Sequence, residues 1–218
     1  MSAPARRADG GPLIGVVDYH TGNSQSVCFA LDHLGIANRL LRDPHELHEV
    51  DRVILPGVGA AGTTMKYLGQ AGWVDALGKH VVDGGMPFLG VCVGLQVLFE
   101  SSAEQDAECL GWLPGRVESF DAGRVRVPQM GWNEVEAVSS HPFVAGLAAG
   151  GHFYFVNSYY AVPDVPAHTA AITDYGTSFT SAVAHRNVMA TQFHIEKSGP
   201  VGLSLLSVFA SLPQGSLC

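Results

Sequence analysis

Cysteine is scarce in this chain: Cys28, Cys92, Cys109 and Cys218 are the four among 218 residues. None stands in a C-x-x-C pair, and their spacing suits neither a zinc site nor a disulfide framework. The ten histidines are scattered and form no H-E-x-x-H motif. No metal and no cofactor are expected. So little paired cysteine points to a reducing, cytoplasmic setting. Positive charge is also thin, with 12 Lys and Arg against 20 Asp and Glu and a formal net charge of −8. An acidic chain without clustered Lys or Arg is a poor match for nucleic acid or an anionic membrane. No apolar run approaches the length needed to cross a bilayer. Arg6 and Arg7 are followed by no apolar stretch, so residues 1–12 do not read as a secretory signal. They are expected to form a disordered lead.

What the chain does have is apolar mass. Hydrophobic residues make up 47% of it, and 26 glycines and 12 prolines imply many turns without any low-complexity stretch. This suits one sizeable domain over residues 13–213, with a short tail over 214–218. Apolar strands are expected over 13–18, 36–41, 52–55 and 86–89. Helices are expected from Asn23 or Ser24, one of which caps, through Leu34, and from about Met65 to Val82 with a break near Gly72. Alternating strand and helix argues for a largely parallel open sheet with helices on both faces. After Gly111 the rhythm changes to short β-like segments at 116–119, 124–127, 134–138, 151–160, 170–173, 181–185 and 188–193. These read as antiparallel additions. A last helix is expected over 200–211. The fold class is therefore α/β, mixed and mainly parallel.

Gly90-Val91-Cys92-Val93-Gly94 stands between an apolar strand and a helical pattern, Leu95 to Glu100. The two glycines let the chain bend tightly, as in the nucleophile elbow G-x-S-x-G with a thiol in place of the hydroxyl. A helix N-terminus beside the sulfur would favour the reactive thiolate. A buried cysteine between two small residues fits the same five positions. Near the other end stands Gln192-Phe193-His194-Ile195-Glu196-Lys197-Ser198. In an extended segment i and i+2 share a face, so Glu196 can orient the imidazole of His194. A nucleophile, a base and an orienter make a catalytic triad. A surface pair at a strand end fits H-x-E equally well when it stands alone. Pro56-Gly57-Val58-Gly59-Ala60 also follows a buried strand. One of its amides, with the N–H of Val93, could form an oxyanion hole, and an ordinary Gly/Pro turn is the plainer reading.

Taken in order, P-G-V-G, G-V-C-V-G-L-Q and Q-F-H-I-E-K-S resemble the triad-type (class I) glutamine amidotransferases. Pro128-Gln129-Met130-Gly131-Trp132-Asn133, the aromatic run Phe153 to Tyr160, and Asp18 to Asn23 resemble the branch of that family serving imidazole glycerol phosphate synthase. The likeness spans roughly Ile14 to Phe209. It implies a glutaminase in which Cys92 attacks the glutamine side-chain carboxamide, His194 moves the proton and Glu196 holds His194. It implies oxyanion-hole amides at Val93 and Gly59, and glutamine binding by Gly57, Val58 and Gln96. It also implies a heterodimer with a (β/α)8-barrel cyclase subunit. That subunit receives the ammonia and forms imidazole glycerol phosphate and an aminoimidazole carboxamide ribotide (AICAR) in histidine biosynthesis. Asn23, Trp132, Tyr154 and Lys197 match interface positions, although core packing also explains Trp132 and Tyr154. Two positions depart from the family. Ile195 replaces a frequent Pro, which implies a less rigid loop, and Asn157 replaces a His, which removes any titrating role there. A glutaminase for another biosynthetic pathway, such as pyridoxal phosphate synthesis, and a silent binding module of the same fold are the alternatives.

Overall fold

The computed structural model of the protein describes residues 11–19, 23–147 and 151–213. Most of the expected lead, all of the tail, and residues 20–22 of the Tyr19–Asn23 loop lie outside the described residues. Four strands precede the long antiparallel region: β1 (Ile14–Val17), β2 (Asn38–Leu41), β3 (Arg52–Gly57) and β4 (Phe88–Cys92). Then come β5 (Ser101–Ser102), β6 (Ala107–Glu108), β7 (Gly115–Ser119), β8 (Gln129–Ala137) and β9 (Gly151–Asn157). The last four are β10 (Tyr159–Pro163), β11 (Thr169–Asp174), β12 (Ser178–His185) and β13 (Val188–Thr191).

The order β2-β1-β3-β4-β13 is parallel throughout. Every residue of β1, β3, β4 and β13 is buried. That is what a parallel sheet covered on both faces requires, and why these strands read as continuous apolar runs. β2, at the edge, carries Asn38 and Arg39 and is mostly half-buried. Beyond β13 the sheet turns antiparallel through β12, β10 and β7, while β11, β8 and β9 branch from β12. There β12 is buried along all but its two end residues, whereas β9 alternates, with Phe153, Phe155 and Asn157 inward.

The helices are α1 (Ser24–His33), α2 (Ala61–Gln70), α3 (Trp73–Leu77), α4 (Val93–Gln96) and α5 (Gly199–Ser211). Gly72, left-handed at φ 76°, breaks the middle helical stretch, which starts earlier than expected and continues past Leu77 as a π-turn over Gly78–Asp83.

Four expectations need correcting. Residues 188–193, expected as an antiparallel addition, form β13 over 188–191, which is antiparallel to β12 on one side but parallel to β4 on the other and so completes the parallel sheet. The helix after the cysteine is a single turn. Val97 N–H bonds to Val93 O at 3.0 Å, and Leu98 and Phe99 tighten to i→i+3 bonds. Residues 93–99 are all buried, so this run has no polar face to give solvent and bends instead into β5. Residues 124–127 are not a strand. Asp121 turns the chain there, its side chain accepting from Gly123 N–H at 2.8 Å and its carbonyl from Arg124 N–H at 2.9 Å. Residues 151–160 are two strands, broken at Ser158.

Candidate active site

The parallel sheet places the motifs before any side chain is considered. Gly57 at the end of β3 is in register with Cys92 at the end of β4, and Val91 is in register with Thr191 of β13. Three carboxyl ends therefore lie side by side, where open α/β sheets hold their ligands. Cys92 itself has φ 57° and ψ −108°. Positive φ is costly for a residue with a Cβ and is held only by surrounding structure. The neighbours that hold it are glycines at contact distance. A Cβ on Gly94 would lie 2.0 Å from Leu55 O, and one on Gly90 2.3 Å from Gly94 O. Neither glycine has positive φ. They are needed for close approach, and the strain falls on the cysteine.

His194 follows β13 and is 2% exposed. Its Nδ1 lies 3.0 Å from Glu196 Oε1, which also accepts a hydrogen bond from Asn23 Nδ2. Burial alone would disfavour the charged imidazole. Hydrogen bonds to Cys92 and Glu196, with the negative charge of both, outweigh it and raise the pKa to about 9. At neutral pH the ring therefore holds its proton between two acidic partners. The turn carrying it is clamped: Ser198 Oγ donates to His194 O at 2.6 Å and accepts from Tyr154 N–H at 3.0 Å. Ile195 is fully buried in this turn.

A cavity of about 370 Å³ opens over the sulfur, lined by Cys92, Val93, Gln96, His194, the Val58-Gly59-Ala60 segment and residues 156–159. A larger cavity, about 610 Å³, lies elsewhere, along β8 and β11, and has none of these groups. Gly59 has φ 98°, and nothing lies within 4 Å of where its Cβ would be. Gly57 is crowded instead: its Cβ would lie 2.8 Å from Tyr19 Oη. Gln96 is 3% exposed, and its Nε2 donates to Tyr159 O at 3.2 Å and to Gln192 Oε1 at 3.1 Å.

The one-turn helix changes one part of the electrostatic argument. Four residues sum too few peptide dipoles to act as a macrodipole, so the charge beside the sulfur comes from the imidazolium and local N–H groups. Cys28 and Cys109 lack such a neighbour. Burial, helped by adjacent Asp or Glu side chains, pushes each thiol up to about 11.

The four expected interface residues all lie around the turn that carries His194 but differ in exposure. Trp132 and Tyr154 pair edge-on at 5.9 Å, with Trp132 55% exposed beside the exposed Met130. Lys197 is exposed. Asn23 is turned inward onto Glu196 and makes no side-chain cap for α1. Two residues of the site carry no sequence signal of their role: Glu104, which lines the cavity, and Gln192, which is fully buried beside the sulfur. Glu104 caps α2 from a distant loop by accepting from Ala61 N–H at 2.8 Å, and no local motif marks it. Gln192 stood inside a motif already noted, but only the pairing of β13 with β4 brings it to the sulfur. Asn157 donates to Tyr159 O at 3.0 Å, within the cavity wall.

The family profile of glutamine amidotransferase class-I matches residues 15–210. The chain belongs to the class-I glutamine amidotransferases. It is 45% identical over 204 residues to the imidazole glycerol phosphate synthase subunit HisH of Dehalococcoides mccartyi, covering 93% of this chain and 98% of that one. It is 44% identical over 198 residues to the HisH of Desulfitobacterium hafniense, covering 90% and 93%. Among solved structures, PurLQS from Thermotoga maritima superposes with a TM-score of 0.73 at 16% identity, covering 91% of this chain and 97% of that one. A structure described as a glutamine amidotransferase gives 0.71 at 24%, covering 90% and 98%. These likenesses concern the fold, which this amidotransferase shares with them. No helix among its described residues is long and apolar enough to cross a membrane.

Proposed function

We propose that this amidotransferase is the glutaminase subunit of an imidazole glycerol phosphate synthase. The observation that carries the chemistry is a cysteine strained onto a tight turn beside a buried imidazole, itself bonded to a buried carboxylate. The Cys92 thiolate attacks the side-chain carbonyl carbon of glutamine. The resulting oxyanion is met by the N–H of Val93 and by the Val58–Gly59 peptide. His194 gives its proton to the departing nitrogen, the C–N bond breaks, and ammonia leaves a glutamyl thioester. Now neutral, His194 takes a proton from water, which attacks the thioester and releases glutamate and the thiolate. Glu196 keeps the imidazole aimed, and Asn23 steadies Glu196. Gln96, Gly57 and Val58 sit beside the reacting carboxamide. Glu104 is the one carboxylate among the described cavity-lining residues and suits the substrate's α-ammonium.

The narrower pathway assignment is supported by the HisH names of relatives above 40% identity and by the exposed Met130 and Trp132. A large aromatic flanked by apolar surface suits a protein partner, here a (β/α)8-barrel cyclase subunit that receives ammonia directly. Free ammonia in neutral water becomes ammonium, so the two sites must be coupled. The open space at Gly59 allows its peptide to rotate and complete the oxyanion hole only when the partner and its substrate are bound. In complex with the cyclase, Cys92→Ala is expected to abolish glutamine-dependent synthesis while synthesis from added ammonium salts persists. Loss of both would make Cys92 structural and refute the assignment.

A further inference from the structure

Gln192 is fully buried at the carboxyl end of β13, one residue beyond the Thr191–Val91 pairing, and so lies beside Cys92. Its backbone N–H donates to Ser181 O at 2.8 Å. Its side-chain amide can point only one way. Gln96 Nε2 donates both to Tyr159 O and to Gln192 Oε1. Turning the Gln96 amide over would set oxygen against the Tyr159 carbonyl. Turning the Gln192 amide over would set NH2 against NH2 and oxygen against sulfur. The remaining arrangement aims Gln192 Nε2–H at Cys92 Sγ, 3.8 Å away. Val156 O also lies 3.9 Å from the sulfur. A carbonyl can only accept, so it favours the S–H form, whereas an amide N–H favours S⁻. The two contacts oppose each other.

We propose that Gln192 is a further catalytic residue, donating Nε2–H to the Cys92 sulfur and favouring its thiolate, with Gln96 as the positioning residue that fixes the direction of that donor. The proposal rests on Cys92 being the nucleophile. It gives Gln96 a second task besides binding glutamine and explains a wholly buried glutamine pair beneath a reactive sulfur. The titratable groups facing Cys92 are His194 and, across the cavity, Glu104, with Glu196 behind the imidazole. All three remain in the variants below.

The test is the pH dependence of Cys92 alkylation by iodoacetamide in the full-length protein. Peptide mass mapping separates Cys92 from Cys28 and Cys109, which serve as internal references. Gln192→Met removes the donor at similar volume, and Gln192→Glu keeps the shape but sets a carboxylate against the sulfur. In Gln192→Met the alkylation midpoint is expected to rise by about one pH unit, with labelling at pH values below the parent's midpoint slowed about tenfold. The shift should be larger in Gln192→Glu. In both, glutaminase kcat should fall while KM for glutamine stays within about twofold, the signature of a contact that matters after binding. An unchanged midpoint in a variant that keeps the parent's unfolding transition overturns the proposal, even if kcat falls. If both variants lose that transition, Gln192 is a packing residue and the proposal fails. If the parent's Cys92 resists the glutamine analogue 6-diazo-5-oxo-L-norleucine with the barrel subunit and its substrate bound, the nucleophile assignment has failed instead.

Discussion

The two halves of the sheet do different work. In β1, β3, β4 and β13 every residue is buried and the functional features are mostly backbone: the strained Cys92, the Gly59 torsion, the N–H of Val93. In β7, β8 and β9 buried positions alternate with exposed or half-buried ones and the features are side chains, with Trp132 and Met130 exposed and Tyr154 half-buried. A parallel sheet closed on both faces cannot shift without unpacking its core, so it suits geometry that must hold to fractions of an ångström. An antiparallel sheet with a solvated face can carry large side chains outward at little cost to the core, which suits a surface for a partner. The two halves are joined at His194. Its backbone N–H donates to Tyr154 O at 2.9 Å, and the Tyr154 ring packs against Trp132.

The comparison predicts very different sensitivities. Gly94→Ala, in the parallel half, is expected to be the most damaging small change. Its added Cβ would meet the backbone carbonyl oxygen of Leu55 at 2.0 Å, and neither atom sits on a flexible side chain that could move away. A loss of about 3 kcal/mol or more is expected in denaturant unfolding, and an unchanged midpoint would show that the elbow is far softer than described. Glu196→Gln keeps the shape of the orienter but removes its charge. Glutaminase activity should fall on the order of 10²–10³-fold, less than for His194→Ala. A loss equal to that of His194, with folding retained, would mean the base has been assigned to the wrong residue. Trp132→Ala, in the antiparallel half, should change unfolding stability by less than about 1 kcal/mol but weaken binding of the barrel subunit by about tenfold or more. Equal losses of stability and binding would erase the division between the halves.

The same division governs what could be read without coordinates. Among the buried parallel strands, β1, β3 and β4 were legible as apolar runs in an alternating strand–helix pattern, with Gly57 and Gly94 in the turns that end β3 and β4; β13 read as an antiparallel addition, because it pairs that way with β12 and only its other edge meets β4 in parallel. Cys92, His194 and Glu196 stood in short motifs, and their convergence followed from strand direction alone. The antiparallel half was harder. The segment at 124–127 alternates like a strand, yet Asp121 turns it, because a side-chain bond two residues away outweighs a weak β pattern. Asn23 was read as a cap or an interface residue, whereas its amide is spent on a carboxylate 173 positions away. Glu104 and Gln192 owe their places to contacts across 43 and 100 positions, and no local spacing announces such a pairing. The single turn of α4 was misjudged because an all-apolar run reads as helix or strand alike until the surrounding core decides how much room it has.

The central claim is that one thiol among four is the nucleophile and that an imidazole a hundred positions downstream arms it. Its most direct test is peptide mapping after reaction with 6-diazo-5-oxo-L-norleucine, with the barrel subunit bound. One adduct is expected, on Cys92, formed at least about a hundredfold more slowly in His194→Ala. An adduct on Cys28, Cys109 or Cys218, or labelling of Cys92 at the same rate without His194, would contradict it.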